Sequence, residues 1–479
     1  MTVAHAANPA ESLRELLGPD RVLAAQSDLA VYECDAFVIE KHRPSMAVFP
    51  QSTAEVAAIV RLCIEHGPAF VPRGAGTSLA GGGMPVGGGV MIVLTRMREI
   101  LEVNLRDRFA VVEPGVVNAA LNRHLAGTGF HYAPDPSSQG ACTIGGNVAT
   151  NAGGPHTLKY GVTVNHVLGV EMVTAEGEIV RVGGPAEDTP GPDLVGTIVG
   201  GEGTLGIVTK IWVRLTRNPE GCRTMLAVFD SVDDATQAIS GIIGAGIIPA
   251  ALEMMDQGIL VAVEAAFRFG FPLDAEAILL IEVDGLEVGL DHQRDRVAAI
   301  CRERGAREVR FAADAKERLQ LWKCRKQAFG AIGRLSPSYC TQDGVVPRTR
   351  LPEILRRIRE IGQKYDLKIV NVFHAGDGNL HPILLFDERN PSEIKRVLAA
   401  SGEILDECLA CGGSVTGEHG IGLEKLSFMN RMFSDADLDV MTRLRDAINA
   451  NGLLSPGKLL PTAGACGMEQ VHPGRRAAL

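Results

Sequence analysis

Apolar positions fall into two textures along this chain. Up to about residue 215 they come as short runs punctuated by glycine. From about Asn218 they come as longer helical repeats that alternate with strands. After a first helical stretch at Leu13 to Leu17, Ala47-Val48-Phe49 reads as a strand ending at Pro50, and Ser52-Thr53-Ala54-Glu55 has the form of a capping box. Val56, Ile59, Val60, Cys63 and Ile64 then recur at helical spacing until Gly67, after which Ala69-Phe70-Val71 is β-prone again. The expected unit is strand, helix, strand, with a glycine-rich loop at its exit. Val90 to Leu94, Phe109 to Val112 and Ile211 to Leu215 read as further strands, and Val117 to Leu125 as a helix. Val167 to Val173 and Ile179 to Val182 form an expected hairpin that turns at Glu176-Gly177.

In the second half, helices are expected at Asp233 to Gly244, Asp291 to Arg304, Asp314 to Phe329, Pro352 to Tyr365 and Pro391 to Ala410. Strands are expected at Thr224 to Phe229, Ala277 to Val283, Lys368 to Phe373 and Pro382 to Phe386. This pattern predicts a second, α+β domain with antiparallel pairing. A length of 479 residues agrees, because it exceeds what one core usually supports.

Two glycine-rich stretches stand out in the first half. The loop after Val71 runs Pro72-Arg73-Gly74-Ala75-Gly76-Thr77-Ser78-Leu79-Ala80-Gly81-Gly82-Gly83. Glycines at a strand exit let a ligand approach backbone N–H groups, and successive N–H groups form a nest for anions. A dinucleotide fingerprint of the G-x-G-x-x-G kind fails here, because its third glycine position falls on Leu79. The second stretch is Thr143-Ile144-Gly145-Gly146-Asn147-Val148-Ala149-Thr150-Asn151-Ala152-Gly153-Gly154. One such loop alone is as well explained as ordinary surface. Two of them suggest a long phosphate-bearing cofactor held along its length.

Composition narrows the field. Apolar residues make up 46% and charged residues 22%, the balance of a globular protein. A net charge of −10 and a pI near 5.7 argue against nucleic acid, and Arg356-Arg357 and Arg475-Arg476 are too short to make a basic patch. Ten cysteines without framework spacing suit free thiols in a reducing compartment. Cys408 and Cys411 form the one close pair, on a helical pattern, and read as packing; no second pair completes an Fe–S site. Met1 to Asp20 lacks the pattern of a signal peptide, and the apolar run from Ile242 to Leu252 is too short to span a membrane. The expected location is cytoplasmic.

The sharpest chemical signal is His374-Ala375-Gly376-Asp377-Gly378-Asn379-Leu380-His381. A turn at Asp377-Gly378 brings the two histidines onto neighbouring strand ends, a common divalent-metal arrangement. Two unrelated histidines flanking a hairpin would give the same spacing. Glu418, in Gly417-Glu418-His419-Gly420, could complete a two-histidine, one-carboxylate set, and His419 would then be placed as a general base. Arg325, on the helix around Leu321-Trp322-Lys323-Cys324-Arg325-Lys326, could hold an anionic substrate or simply face water.

These stretches together resemble the vanillyl-alcohol-oxidase-type flavoproteins, also called PCMH-type, and among them the glycolate oxidase FAD subunit and its D-lactate and D-2-hydroxyglutarate dehydrogenase relatives. The resemblance runs from about Pro50 to Pro461 and rests on PRGAGTSLAGG (72–82), PDPSSQGACTIGGNVATNAGG (134–154), GGEGTLGIVT (200–209), HAGDGNLHP (374–382), GEHGIG (417–422) and SPGKLLP (455–461). It implies an α+β protein in three parts: an FAD-binding domain over 1–218, a substrate or cap domain over 219–420, and a C-terminal segment over 421–479 that packs back on the first. FAD would be bound non-covalently by Arg73, Gly74, Ala75, Gly76, Thr77, Ser78, Pro134, Asp135, Ser138, Thr143, Gly146, Asn147, Thr150 and Gly153, with Glu202 and Ile207 nearby. Ser455 stands where the family often has Asn before Pro456-Gly457-Lys458.

By the same resemblance His374, His381 and Glu418 bind a divalent metal (Zn, Mn or Fe), His419 is the base, and Arg325 holds the substrate carboxylate. The implied reaction is oxidation of a small 2-hydroxy acid, glycolate or D-lactate, to the 2-oxo acid. Hydride passes to flavin N5 while the metal acidifies the 2-hydroxyl. Ile383 and Thr341 stand where the 2-hydroxyglutarate branch carries polar groups, which favours a monocarboxylate. With no NAD fingerprint and no Fe–S cysteines, electrons would pass to a quinone, a cytochrome, an electron-transfer flavoprotein or an Fe–S partner subunit. Such a partner could hold the chain at the inner membrane, and the resemblance allows an oligomer. Competing readings are a D-2-hydroxyglutarate dehydrogenase, a non-oxidative flavoenzyme resembling ether-lipid synthases, and a flavin-binding subunit with a dead site.

Overall fold

In the first half, apolar β runs become a four-stranded and a five-stranded sheet, beside a two-stranded pairing of Phe130–His131 with Thr216–Arg217. The structure, a computed structural model, describes residues 9–186 and 190–461. Residues 1–8 of the N-terminal segment, and Arg475 and Arg476, lie outside the described residues. The first sheet runs Val22–Leu23, Met46–Val48, Val90–Val93, Phe70–Arg73, with the last three strands parallel. The helix Thr53–His66 is the crossover between Met46–Val48 and Phe70–Arg73, and its buried Val56, Ile59, Val60 and Cys63 cover the sheet. Ser52 caps this helix, accepting the Glu55 N–H at 3.2 Å. The expected capping box is only half formed: the Glu55 carboxylate accepts from the Gln51 N–H instead and pairs with Arg21.

The second sheet is antiparallel, in the order Ile100–Asn104, Phe109–Val112, Ile207–Arg214, Val167–Val173, Ile179–Gly183. Ile207, Ile211 and Val213 alternate inward along its central strand.

The second half is built on nine strands, all paired antiparallel. Ala277–Gly285 is buried nearly throughout because both faces of the sheet are covered. Leu279, Ile281 and Val283 point into a core with the helices Val232–Gly244, Leu290–Glu303, Leu351–Lys364 and Pro391–Ala410. Ile278 and Leu280 point into another, with Gln257–Phe267 and Ala315–Lys326. The helix expected to run to Phe329 ends at Lys326, and Ala328–Ile332 forms a second short helix. Cys408 packs in the first of these cores, and the nine described cysteines are all free. No helix among the described residues is long and apolar enough to cross a membrane.

Residues 453–458 return to the first sheet. Phe70 N–H donates to Leu453 O, Ser455 N–H donates to Phe70 O, and the Lys458 ammonium donates to the carbonyls of Gly81, Gly82 and Met84. Ser455 Oγ donates to Gly203 O at 2.9 Å, so its role here is structural.

Charged groups join the two halves. Asp135 meets His156 at 2.9 Å and Lys326 at 3.0 Å, while Glu282 takes Arg318 and the Trp322 indole N–H, each at 2.8 Å, and faces His156 at 3.7 Å. Burial opposes charge on His156, yet Asp135 and Glu282 raise it to about 10. The folded chain therefore keeps this proton to about pH 10, whereas an unfolded histidine loses it near 6.5. The contribution is complete below pH 6.5 and is lost as pH rises toward 10. Thermal melts from pH 6 to 10 should show this decline, and His156→Gln should lower Tm at pH 6 and flatten the slope. Parallel curves for the two proteins would refute the assignment.

Candidate active site

Both halves open onto one cavity of about 830 Å³, within the usual range for small-molecule sites. On one side, the strand Phe70–Arg73 runs out into the first glycine loop, where Gly76 and Gly81 have φ of +72° and +77°. A Cβ at Gly74 would lie 2.5 Å from Thr143 Oγ1, so glycine is what lets the two loops meet. Thr143 in turn caps the short helix Ile144–Thr150, accepting from Gly146 N–H at 3.2 Å. Arg73 braces the first loop from beneath, donating to Cys34 O at 2.8 Å and Gly83 O at 3.4 Å.

On the other side, the strand Lys368–His374 turns through Asp377-Gly378, with Gly378 at φ +82°, and pairs back through His374↔Asn379. His374 and His381 are both buried, and their Nε2 atoms lie 3.1 and 3.2 Å from the same Glu418 oxygen, Oε1. The three donor atoms all lie within 4.8 Å of one another. Each remote imidazole nitrogen also faces an acceptor. His374 Nδ1 meets Glu253 Oε1 and Oε2 at 2.8 and 2.9 Å, and His381 Nδ1 lies 3.3 Å from Gln342 O. Outer carboxylates and carbonyls of this kind orient metal-ligating histidines, so the donor set fits a divalent ion. Burial opposes the charges, yet Glu253 and Glu418 hold His374 well above the ordinary histidine range, and His374 holds Glu418 well below that of a carboxylate.

His419 stacks on His381, with ring centroids 5.0 Å apart and planes 8° apart, and lines the cavity. Burial, aided by His381 and Lys425 against Asp343, pushes it down to about 4. It is unprotonated at neutral pH.

Residues 44–183 match the FAD binding domain family, and residues 218–459 match the family described as FAD linked oxidases, C-terminal domain. The chain is 45% identical over 466 residues to the glycolate oxidase subunit GlcD of Escherichia coli (strain K12), covering 97% of this chain and 93% of that one. It belongs to the FAD-linked oxidases. The D-lactate dehydrogenase of Anaerostipes hadrus is 31% identical, across 94% of this chain and 96% of that one. The structure of p-cresol methylhydroxylase with substrate bound shares the fold, with a TM-score of 0.80 at 20% identity over 94% of this chain and 96% of that one.

In this FAD-linked oxidase, the cavity wall includes Arg73, Gly74, Ala75, Gly76, Thr77, Ser78, Ser138, Thr143, Gly146, Asn147, Thr150 and Glu202, together with His381, Glu418 and His419. Pro134, Asp135, Gly153 and Ile207 are off the wall. Pro134 O accepts from Asn118, Asp135 is committed to His156 and Lys326, Gly153 packs beside Glu418 and Ile207 is core. Glu202 touches the cavity but gives its carboxylate to the N–H groups of Ile421 and Gly422, at 2.6 and 2.7 Å.

His374 and Arg325 lie behind the wall. Arg325 is fully buried, neither solvated nor open to the cavity, and its Nη2 sits 2.5 Å from Glu253 Oε2. None of its three guanidinium nitrogens makes a well-aligned hydrogen bond among the described residues, so Nη2 meets Glu253 as an ion pair. Thr341 and Ile383 pair with each other in buried strands away from the cavity. Phe329, Phe267 and Tyr339 also line the cavity, with the Phe329 ring 6.4 Å from that of His381.

Sequence reading missed Glu253. The available signal was a lone acid in the apolar run Ala250-Ala251-Leu252-Glu253-Met254-Met255.

Proposed function

We propose that this FAD-linked oxidase converts a small 2-hydroxy acid, glycolate or D-lactate, to the 2-oxo acid, with a divalent metal at His374, His381 and Glu418. The observation that carries this reading is the shared cavity: the glycine loops of the FAD-binding half and the His381, Glu418, His419 cluster open onto one space. FAD supplies a two-electron acceptor for the hydrogen at C2 of the acid. A divalent ion supplies Lewis acidity at the 2-hydroxyl.

The chain's own residues do the rest. Glu253 and the Gln342 carbonyl fix the two imidazole rings, and Glu418 bridges them. His419, unprotonated on the wall, takes the hydroxyl proton. Arg325, closed off from the cavity and paired with Glu253, does not reach the acid from this position and instead holds Glu253 behind His374. Phe267, Phe329 and Tyr339 exclude water and offer no cation for a second carboxylate; Lys326, also on the wall, is already paired with Asp135. Electrons then leave to an acceptor other than NAD: a quinone, a cytochrome, an electron-transfer flavoprotein or an Fe–S subunit.

Anaerobic addition of glycolate, D-lactate, L-lactate and D-2-hydroxyglutarate to the flavin-loaded chain tests this. Glycolate or D-lactate should bleach the flavin band, and chelation should abolish the effect. A much higher kcat/KM for D-2-hydroxyglutarate would overturn the substrate assignment. A flavin that none of the acids bleaches would overturn the reaction.

A further inference from the structure

We infer that Asp343 is the positioning residue for the loop that carries Glu418 and His419, an inference that rests on the metal reading above. Asp343 is fully buried and absent from the cavity wall; its Oδ1 lies 3.7 Å from His381 Nδ1, and its donor atom lies within 4.8 Å of those of His381 and His419, while its other oxygen faces the loop. One of its oxygens, Oδ2, collects four donors: Thr416 Oγ1 at 2.6 Å and the backbone N–H groups of Gly417, Glu418 and His419 at 2.9, 3.0 and 2.9 Å. Three successive N–H groups converging on one point make a nest of the kind that elsewhere binds a free anion. Here the nest is filled by the protein's own carboxylate.

Beyond the grip of Glu202 on the N–H groups of Ile421 and Gly422, the loop has few other means of holding its shape. Gly417, Gly420 and Gly422 supply no side chains, and a Cβ at Gly417 would lie 2.6 Å from the Asn379 side chain. The Thr416 hydroxyl also accepts the Gly420 N–H at 3.0 Å, so it closes residues 416–420 around the carboxylate. Asp343 is itself firmly placed. It precedes the strand Gly344–Val345, which pairs with Asn379–Leu380 on one side and bridges Ser414 on the other. That strand thus lies between the His381 hairpin and the Glu418 loop, and Asp343 reads the position of one into the other. Lys425, fully buried with its Nζ 3.6 Å from Oδ2, is the nearby ammonium. Charge-assisted hydrogen bonds are the stronger class, so a neutral side chain at 343 would hold the loop less tightly.

The test measures Mn²⁺ and Zn²⁺ affinity of the purified, flavin-loaded chain by competition with a chromophoric chelator, alongside FAD content, kcat and KM. Asp343→Asn should weaken both ions about 10–100-fold, the effect seen when support for a metal ligand is removed. It should lower kcat with KM changed less than about threefold and FAD still at one per chain. Thr416→Val, which leaves the buried charge alone, should do the same to a smaller degree, and Thr416→Ser should restore native behaviour. Unchanged ion affinity in both Asp343→Asn and Thr416→Val would overturn the inference and leave the metal reading standing. Loss of FAD in both variants that persists at saturating Mn²⁺ would also overturn it, since the residues would then hold the fold rather than the loop. A native chain that binds neither ion would overturn the metal reading and this inference with it.

Discussion

His419→Ala should lower kcat by about 10²–10⁴-fold, the usual worth of a placed general base, while FAD and divalent-ion content stay at native levels. The side chain lines the cavity but lies outside the His374, His381, Glu418 set, so its removal leaves those donors in place. The loop also survives, because the hydrogen bond from residue 419 to Asp343 comes from the backbone. With the folded pKa pushed down to about 4, the native enzyme keeps this imidazole unprotonated well below the ordinary histidine midpoint near 6.5. Activity should therefore persist as pH falls through 6.5 and drop only as it approaches about 4, and this acid limb should vanish in the variant. Steady-state rates across pH 4–8, with metal analysis of both proteins, make the measurement. A variant within threefold of native would remove His419 from the proton-transfer step.

The largest stability effect is expected at Glu253. Both side chains of the Arg325–Glu253 pair are essentially inaccessible, at 0% and 1%. Glu253→Ala leaves a buried guanidinium without its counter-charge, which typically costs about 3–5 kcal/mol. It also removes the acceptor for His374 Nδ1, so divalent-ion affinity should fall about 10–100-fold. Adding Arg325→Met to Glu253→Leu should recover most of the stability, since apolar groups of similar size often replace a buried ion pair without penalty. Ion affinity should not recover with it. Urea unfolding of the single and double variants separates the two roles. Equal stability of native and Glu253→Ala would refute the charge argument.

The second half was legible from sequence where local pattern decides structure. Ala277 to Val283 is apolar except for Glu282 and became a strand buried on both faces, and Asp377-Gly378 turned the two histidines together as expected. What escaped detection depends on register between distant strands. Glu253 meets His374 only because Ala251–Asp256 lies antiparallel to Lys368–His374, with those two residues in register and 121 positions apart in sequence. Asp343 reads locally as the first half of an Asp-Gly turn, and nothing near it indicates that a loop seventy residues later folds around it. Arg325 was open to either reading because the helix Ala315–Lys326 buries Leu321, Trp322, Cys324 and Arg325 together, which blurs any polar face. Thr341 and Ile383 seemed informative about substrate size, but both are buried and neither lines the cavity.

Glu202 gives the two halves a common fate. Its side chain stands on the cavity wall of the FAD-binding half and grips the backbone of residues 421 and 422, just beyond Glu418 and His419. Whatever steadies Glu202 from the cavity side also steadies the peptide that follows Glu418 and His419. Such coupling is reciprocal by thermodynamic necessity. Occupancy of the flavin cradle and occupancy of the His–His–Glu cluster should each tighten the other, so that the enzyme assembles as one cooperative unit rather than as two independently filled sites.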